Sequence, residues 1–223
     1  MIITFSHPKG GVGKTMLAFN YAVYCQNKGE AVTIADLDGQ HSITNFGKIR
    51  DLDGGLSKLD ILKFEKVEDF IAFLQNSDSR KIIIDTGGFD SSFNRIALAF
   101  ANMVITPVSD SPVEVMRLLD FDRILGEISR DVDHQILTHI VLNRIHPSLR
   151  NMEHVIEPLK DKHNFVLLDS VVRDRTRFKF SVGQGRSVYE ENEGVLDDKA
   201  VKELNNLFKE IDSIINERIN NEK

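Results

Sequence analysis

The 223-residue sequence predicts a doubly wound α/β fold, a mostly parallel sheet flanked by helices. Three observations carry this prediction. Short apolar runs alternate with helix-length patterns along most of the chain. The runs are apolar at consecutive positions, as in strands covered on both faces. A glycine-rich turn joins the first run to the first helical pattern, the arrangement of a phosphate-binding P-loop. No repeat, low-complexity tract or Pro/Ser-rich linker interrupts the pattern, so residues 1–223 read as a single domain.

In chain order, the predicted buried strands are Ile2–Phe5, Ala31–Ala35, Lys81–Ile84, Met103–Thr106, Ile136–Leu142 and Phe165–Leu168. Between them the spacing predicts helices over Thr15–Lys28, Val67–Gln75, Ser92–Ala101, Val113–Ser129 and Asn151–Lys162. A last helix is predicted over 198–220, where Val201, Leu204, Phe208, Ile211, Ile215 and Ile219 form one apolar stripe at spacings of three and four. Its polar face mixes Lys202, Lys209 and Arg218 with Glu203, Glu210, Asp212 and Glu217. A basic face would suit anionic lipid; a balanced one suits docking on the sheet, so no membrane contact is expected.

Composition narrows the class. Lysine and arginine number 28, aspartate and glutamate 34, for a net charge of −6, with 41% hydrophobic residues. This is the balance of a soluble globular domain. The longest apolar runs, near Ile82–Ile84 and Ile140–Leu142, are far shorter than the roughly 20 residues of a membrane span. The chain opens on a strand-like run without a basic leader, and the expectation is a cytoplasmic protein. One cysteine, Cys25, excludes an internal disulfide framework and a multi-cysteine metal site. Net negative charge also argues against a protein that coats DNA on all sides.

The segment His7-Pro8-Lys9-Gly10-Gly11-Val12-Gly13-Lys14-Thr15 carries the most chemistry. Against the pattern G-x-x-x-x-G-K-[ST], Gly13, Lys14 and Thr15 match, and Pro8 stands in place of the first glycine. Gly10, Gly11 and Gly13 let backbone amides turn around phosphate oxygens, and the following helix presents its N-terminus to negative charge. Lys14 would reach the β- and γ-phosphates of ATP, and Thr15 would put its hydroxyl on Mg²⁺. The second strand ends in Asp36-Leu37-Asp38-Gly39-Gln40, and carboxylates there face the crevice where ligands of open α/β sheets bind. Asp85 follows Ile82-Ile83-Ile84 at another strand end, where a carboxylate can hold Mg²⁺ beside Thr15.

Lys9-Gly10-Gly11-Val12-Gly13-Lys14-Thr15 resembles the deviant phosphate loop of the ParA/MinD family of ATPases. Asp36–Gln40 is similar to that family's Asp-x-Asp-Pro-Gln stretch, with Gly39 in place of proline. Lys81–Asp85 looks like its magnesium-binding strand, followed by Gly87-Gly88 where Pro-Pro is frequent, and Gly185–Glu190 is similar to its C-terminal Gly-x-[PS]-Val-x-Glu region. The resemblance implies an ATP-driven sandwich homodimer in which Lys9 crosses to the partner's nucleotide. It implies that Asp38 orients the attacking water, that Asp36 supports the Mg²⁺ shell, and that Gly87-Gly88 belongs to a mobile switch segment. By the same likeness Asn143, at the end of Val141-Leu142, would read the adenine edge. Met16 stands where the family commonly has a second hydroxyl, leaving only its backbone amide for the α-phosphate.

Arg173, Arg175, Arg177, Lys179 and Arg186 set five bases against one acid, Asp174, within 14 positions, the densest positive stretch of the chain. Arg175, Arg177, Lys179 and Arg186 are candidates for non-specific DNA contacts, which would be steeply salt-dependent. Arg173, beside a strand end, is the candidate to face the nucleotide; the bland alternative is a solvated face. Within the family the short chain looks like ParF-like plasmid partition ATPases, which implies a ParB-like centromere-binding partner that stimulates hydrolysis. MinD-like spatial regulators, DNA-transfer accessory ATPases and a dethiobiotin-synthetase-like ligase stay open as alternatives.

Overall fold

The computed structural model describes residues 1–76, 80–190 and 197–221. Seven strands, β1 Ile2–Phe5, β2 Val32–Leu37, β3 Asp60–Lys63, β4 Lys81–Thr86, β5 Met103–Val108, β6 Thr138–Ile145 and β7 Phe165–Arg173, form one sheet in the order β3-β2-β4-β1-β5-β6-β7. Every neighbouring pair is parallel. The helices are α1 Lys14–Asn27, α2 Ser42–Asp51, α3 Val67–Gln75, α4 Ser92–Ala99, α5 Pro112–Asp131, α6 Glu153–Lys160, α7 Thr176–Gly183 and α8 Asp198–Asn221.

One face of the sheet is covered by α1, α7 and α8 around Phe5, Leu17, Tyr21, Ile83, Leu204, Phe208 and Ile211, all but fully buried. The stripe predicted on α8 is this contact, and only Ile219, 37% exposed, falls off its end. Asp212 on the same helix accepts hydrogen bonds from the Tyr21 and Tyr24 hydroxyls and an ion pair from Lys28, which fixes its rotation over α1. The other face carries α3 to α6 over two apolar clusters centred on Ile84, Phe70, Ile140 and Leu125. No helix among the described residues is long and apolar enough to cross a membrane.

Three elements escaped the sequence pattern. β3 holds only two apolar residues, Ile61 and Leu62, between exposed Asp60 and Lys63, as an edge strand can. α2 carries Gly47 in its middle, where an added Cβ would lie 2.5 Å from Ile61 on β3, so that close packing replaces helix propensity. α7 arises from the basic stretch itself, burying Phe178, Ser181 and Val182.

The register sets up the site. β1 is central, so the turn after Phe5 opens at the C-terminal edge of the sheet, where the ligand crevice of such folds lies. Asp85 is level with Phe5 on one side and with Asp36 on the other.

Candidate functional site

Residues 7–13 form the loop between β1 and α1. Gly11 (φ 80°) and Gly13 (φ 104°) take left-handed conformations that disfavour side chains, and Gly13 caps α1. Lys14 is 5% exposed, and its ammonium donates to the carbonyl of Lys9 at 3.0 Å. Burial pushes its pKa down, opposed by the charges of Asp85 and Asp38. Asp85 is fully buried, and neither carboxylate oxygen accepts a well-formed hydrogen bond. Burial pushes its pKa up; the Thr15 hydroxyl and the Lys14 ammonium only partly offset this, and Asp36 and Asp38 add to it.

These residues bring together a cleft of about 600 Å³ lined by Gly10, Gly11, Gly13, Lys14, Thr15, Met16, Asp38 and Gln40, with Gly88 and Phe89 across it. Asp38 is partly exposed on this cleft and its Oδ1 accepts from the Gln40 amide at 3.0 Å. Asp36, expected to support the Mg²⁺ shell, is buried and hydrogen-bonded within its own turn and to α2. Its oxygens accept from the Thr44 hydroxyl at 2.5 Å, the Thr44 amide at 3.3 Å and the Asp38 amide at 3.2 Å. It therefore fixes the turn that presents Asp38.

Gly88 permits a close backbone approach. A Cβ on Gly88 would lie 2.5 Å from the Gly10 nitrogen and 2.9 Å from the Lys9 carbonyl carbon, so this loop rests directly on the phosphate loop's backbone. Asn94 on α4 holds it there, its amide donating to the carbonyls of Gly87 and Phe89. Gly39, in contrast, has open space around it.

Lys9 lies at the rim of the cleft. Its ammonium pairs with Glu114 of α5 at 3.2 Å, and its amide donates to Nδ1 of His7 at 2.9 Å. Glu114 also accepts from the Ser109 amide, and these bonds hold its pKa down although burial pushes the other way. Phe89, Val113 and Met116, from 57% to 67% exposed, put apolar surface beside this rim.

On the far side of Gly13 lies a second hollow of about 240 Å³, lined by Gly11, Met16, Arg144, Asp174, Phe178 and Lys179. Asn143, expected to read the adenine edge, does not line it. Its amide donates to the Val12 carbonyl at 2.7 Å and packs under Gly13, so it supports the loop from behind. The residue that lines the hollow is Arg144, in a left-handed conformation (φ 59°) and hydrogen-bonded to the Gly11 carbonyl.

The basic stretch is largely paired. Arg175 donates to both oxygens of Glu203, at 3.1 and 2.5 Å, which raises its pKa. Lys179 pairs with Asp174 at 3.1 Å, Arg186 with Asp53, and Arg177 donates to the Glu190 carbonyl. Three members of the stretch, Arg175, Lys179 and Arg186, are thus held in ion pairs. Arg173, expected to face the nucleotide, does not line the cleft and donates to the carbonyls of Leu149 (2.7 Å) and His146 (3.3 Å).

Two functional supports gave no local signal. Arg50, 1% exposed, forms a two-pronged pair with Glu190 at 2.7 and 2.6 Å. Gly185 (φ 69°) approaches the Arg50 backbone so closely that a Cβ would lie 2.4 Å from it. Asn20 of α1 accepts from Ser187 and Val188. The segment Gly185–Glu190 therefore ties α1, α2 and α7 together behind the cleft.

Known proteins share this architecture. A curated protein ParA of Rhizobium radiobacter is 24% identical over 159 residues, 69% of this chain and 68% of its own length. A plasmid partition protein of Borrelia burgdorferi B31, solved with AMPPNP, superposes with a TM-score of 0.70 at 20% identity, covering 94% of this chain and 97% of its own. The MinC:MinD cell division complex of Aquifex aeolicus gives 0.68 at 19% identity, covering 95% and 96%. A cobyrinic acid a,c-diamide synthase of Mycobacterium smegmatis, with an ATP analogue and magnesium, gives 0.63 at 14%, covering 82% and 92%. The model of the CobQ/CobB/MinD/ParA nucleotide binding domain matches residues 3–188, and the chain belongs to that family.

Proposed function

We propose that the chain is a partition-type ATPase of the cytoplasm. It binds ATP with Mg²⁺ in the cleft, closes face to face with a second copy, holds DNA non-specifically in that state, and is reset by hydrolysis that a centromere-binding partner stimulates. The observation that carries the reading is the burial of both Lys14 and Asp85 beneath a glycine loop, with neither Asp85 oxygen accepting a well-formed hydrogen bond. A fully buried carboxylate without hydrogen bonds is unfavourable for folding, and such arrangements are retained where a ligand uses them.

The donor set fits the ligand. The Thr15 hydroxyl and the Asp85 carboxylate are hard oxygen donors suited to Mg²⁺, and the amides of Gly10 to Thr15 suit phosphate. When bound, Mg²⁺ neutralises charge on the β- and γ-phosphates. Lys14 would turn its ammonium from the Lys9 carbonyl to phosphate oxygens. Asp38, held by Asp36 and bordering the cleft, is the group to orient water. Lys9 would leave Glu114 for the partner copy's phosphates, adding positive charge in trans. The apolar rim of Phe89, Val113 and Met116 supports a self-association face.

DNA contact by Arg175, Lys179 and Arg186 requires opening of their ion pairs, and contact by Arg177 requires release of the Glu190 carbonyl. The exposed Lys179–Asp174 pair contributes only about 0–1 kcal/mol and opens readily to a polyanion, whereas the more shielded Arg175–Glu203 and Arg186–Asp53 pairs resist more. The test is DNA binding against salt with ATP, ADP or no nucleotide, comparing wild type with Arg175→Ala/Arg177→Ala. The reading expects binding with ATP alone, steeply salt-dependent and weakened in the double variant. DNA binding absent with every nucleotide refutes the partition role.

A further inference from the structure

Two buried polar atoms near the cleft have no hydrogen-bond partner, and their chemistry is complementary. The first is Nε2 of His7, in a side chain 1% exposed. Because Nδ1 accepts the Lys9 amide proton, the neutral ring carries its own proton on Nε2, which is therefore a donor. The second is Oδ1 of Asn94, 6% exposed. The Asn94 amide nitrogen faces two carbonyls, those of Gly87 and Phe89, so the oxygen must be the atom left over, an acceptor. Both side chains line the same small cavity of about 20 Å³, together with Ser6, Pro8, Gly87 and Phe89.

A cavity of that size accepts one water molecule, and a water there has both a donor and an acceptor to satisfy. Leaving both groups unpaired instead would destabilise the fold by the desolvation penalty of each. We propose that His7 and Asn94 form a water-bridged joint between the phosphate loop and the Gly87–Phe89 loop. His7 sets the Lys9 backbone from one side; Asn94 sets the facing loop from the other. Gly88 already lies against Lys9 and Gly10, so the joint closes a second connection between the same two segments. The two loops then move together, and a displacement that phosphate imposes on one is passed to the other. His7 and Asn94 are positioning residues; neither lines the main cleft. The signalling role rests on the ATPase reading, whereas the joint itself does not.

Burial keeps the His7 ring neutral, with its pKa pushed down to about 3, helped by the charge of Lys14, so the donor–acceptor assignment holds at any working pH.

The test is hydrogen exchange read by mass spectrometry on the full chain without nucleotide, for His7→Leu, Asn94→Ala and His7→Gln. The joint predicts reciprocal effects. His7→Leu accelerates exchange about tenfold in residues 87–90, and Asn94→Ala accelerates it in residues 8–10. His7→Gln, which keeps a donor and an acceptor, restores most of the protection. Acceleration confined to the mutated loop overturns the proposal. A high-resolution crystal structure of the free protein gives a second decision without any variant: an ordered water bonded to both atoms supports it, and a dry cavity overturns it. Reciprocal exchange in a protein indifferent to ATP would remove the ATPase reading and leave the joint standing.

Discussion

Lys9 and Glu114, 105 residues apart in the chain, are joined by an ion pair of 3.2 Å at the rim of the cleft. The pair holds within one copy the lysine that the dimer reading assigns to the other copy's phosphates. Glu114→Gln keeps the bond from Ser109 but releases Lys9, and should shift ATP-dependent dimerisation to lower protein concentration. Equilibrium sedimentation with ATP measures this; an unchanged midpoint would show that the pair does not compete with dimer closure.

Asp85 should be a stability liability in the free protein. Asp85→Asn removes a buried charge that burial disfavours, and is expected to stabilise the nucleotide-free chain by about 1–2 kcal/mol in urea unfolding while losing Mg²⁺-dependent ATP binding. A destabilised variant would show instead that the carboxylate's interaction with Lys14 dominates.

Gly88 and Gly39 should respond oppositely to a methyl group. Gly88→Ala drives a Cβ into the Gly10 backbone and should destabilise by about 1–3 kcal/mol, with loss of ATP binding. Gly39→Ala has open space and should change stability by less than about 0.5 kcal/mol. Urea midpoints of the two variants decide.

The fold's elements and the phosphate loop were legible because their signals are local. β1 and α3 lie where the apolar pattern puts them, and Gly11 and Gly13 take the backbone that their residue type permits. What was not legible depends on distant partners. Arg175 and Arg186 read as part of a basic patch, since their partners Glu203 and Asp53 lie in other segments. Asn143, expected at a strand end, lies within β6, and its amide bonds the Val12 carbonyl in a loop 131 residues away. β3 lacks an apolar run because it is an edge, and α2 depends on Arg50 meeting Glu190, 140 residues away.

Two buried histidines make the protein acid-sensitive. Desolvation holds His7 near pKa 3 and His139, which faces the Val104 carbonyl and Arg218, near 4, both below the ordinary 6.5. The unfolded chain therefore binds more protons, and stability falls as pH drops through 6.5 toward those values. The slope approaches about 1.4 kcal/mol per pH unit for each ring. His139→Asn should flatten the stability profile between pH 7 and 5 by about one ring's share; a profile as steep as wild type would contradict the assignment.

The most direct test of the central claim is analytical ultracentrifugation of wild type and Lys9→Ala with ATP and with ADP, alongside fluorescent-nucleotide binding. The account predicts that wild type dimerises with ATP and not with ADP, and that Lys9→Ala binds ATP but stays monomeric. Equal dimerisation of the two proteins, or a wild type that ignores ATP, would contradict it.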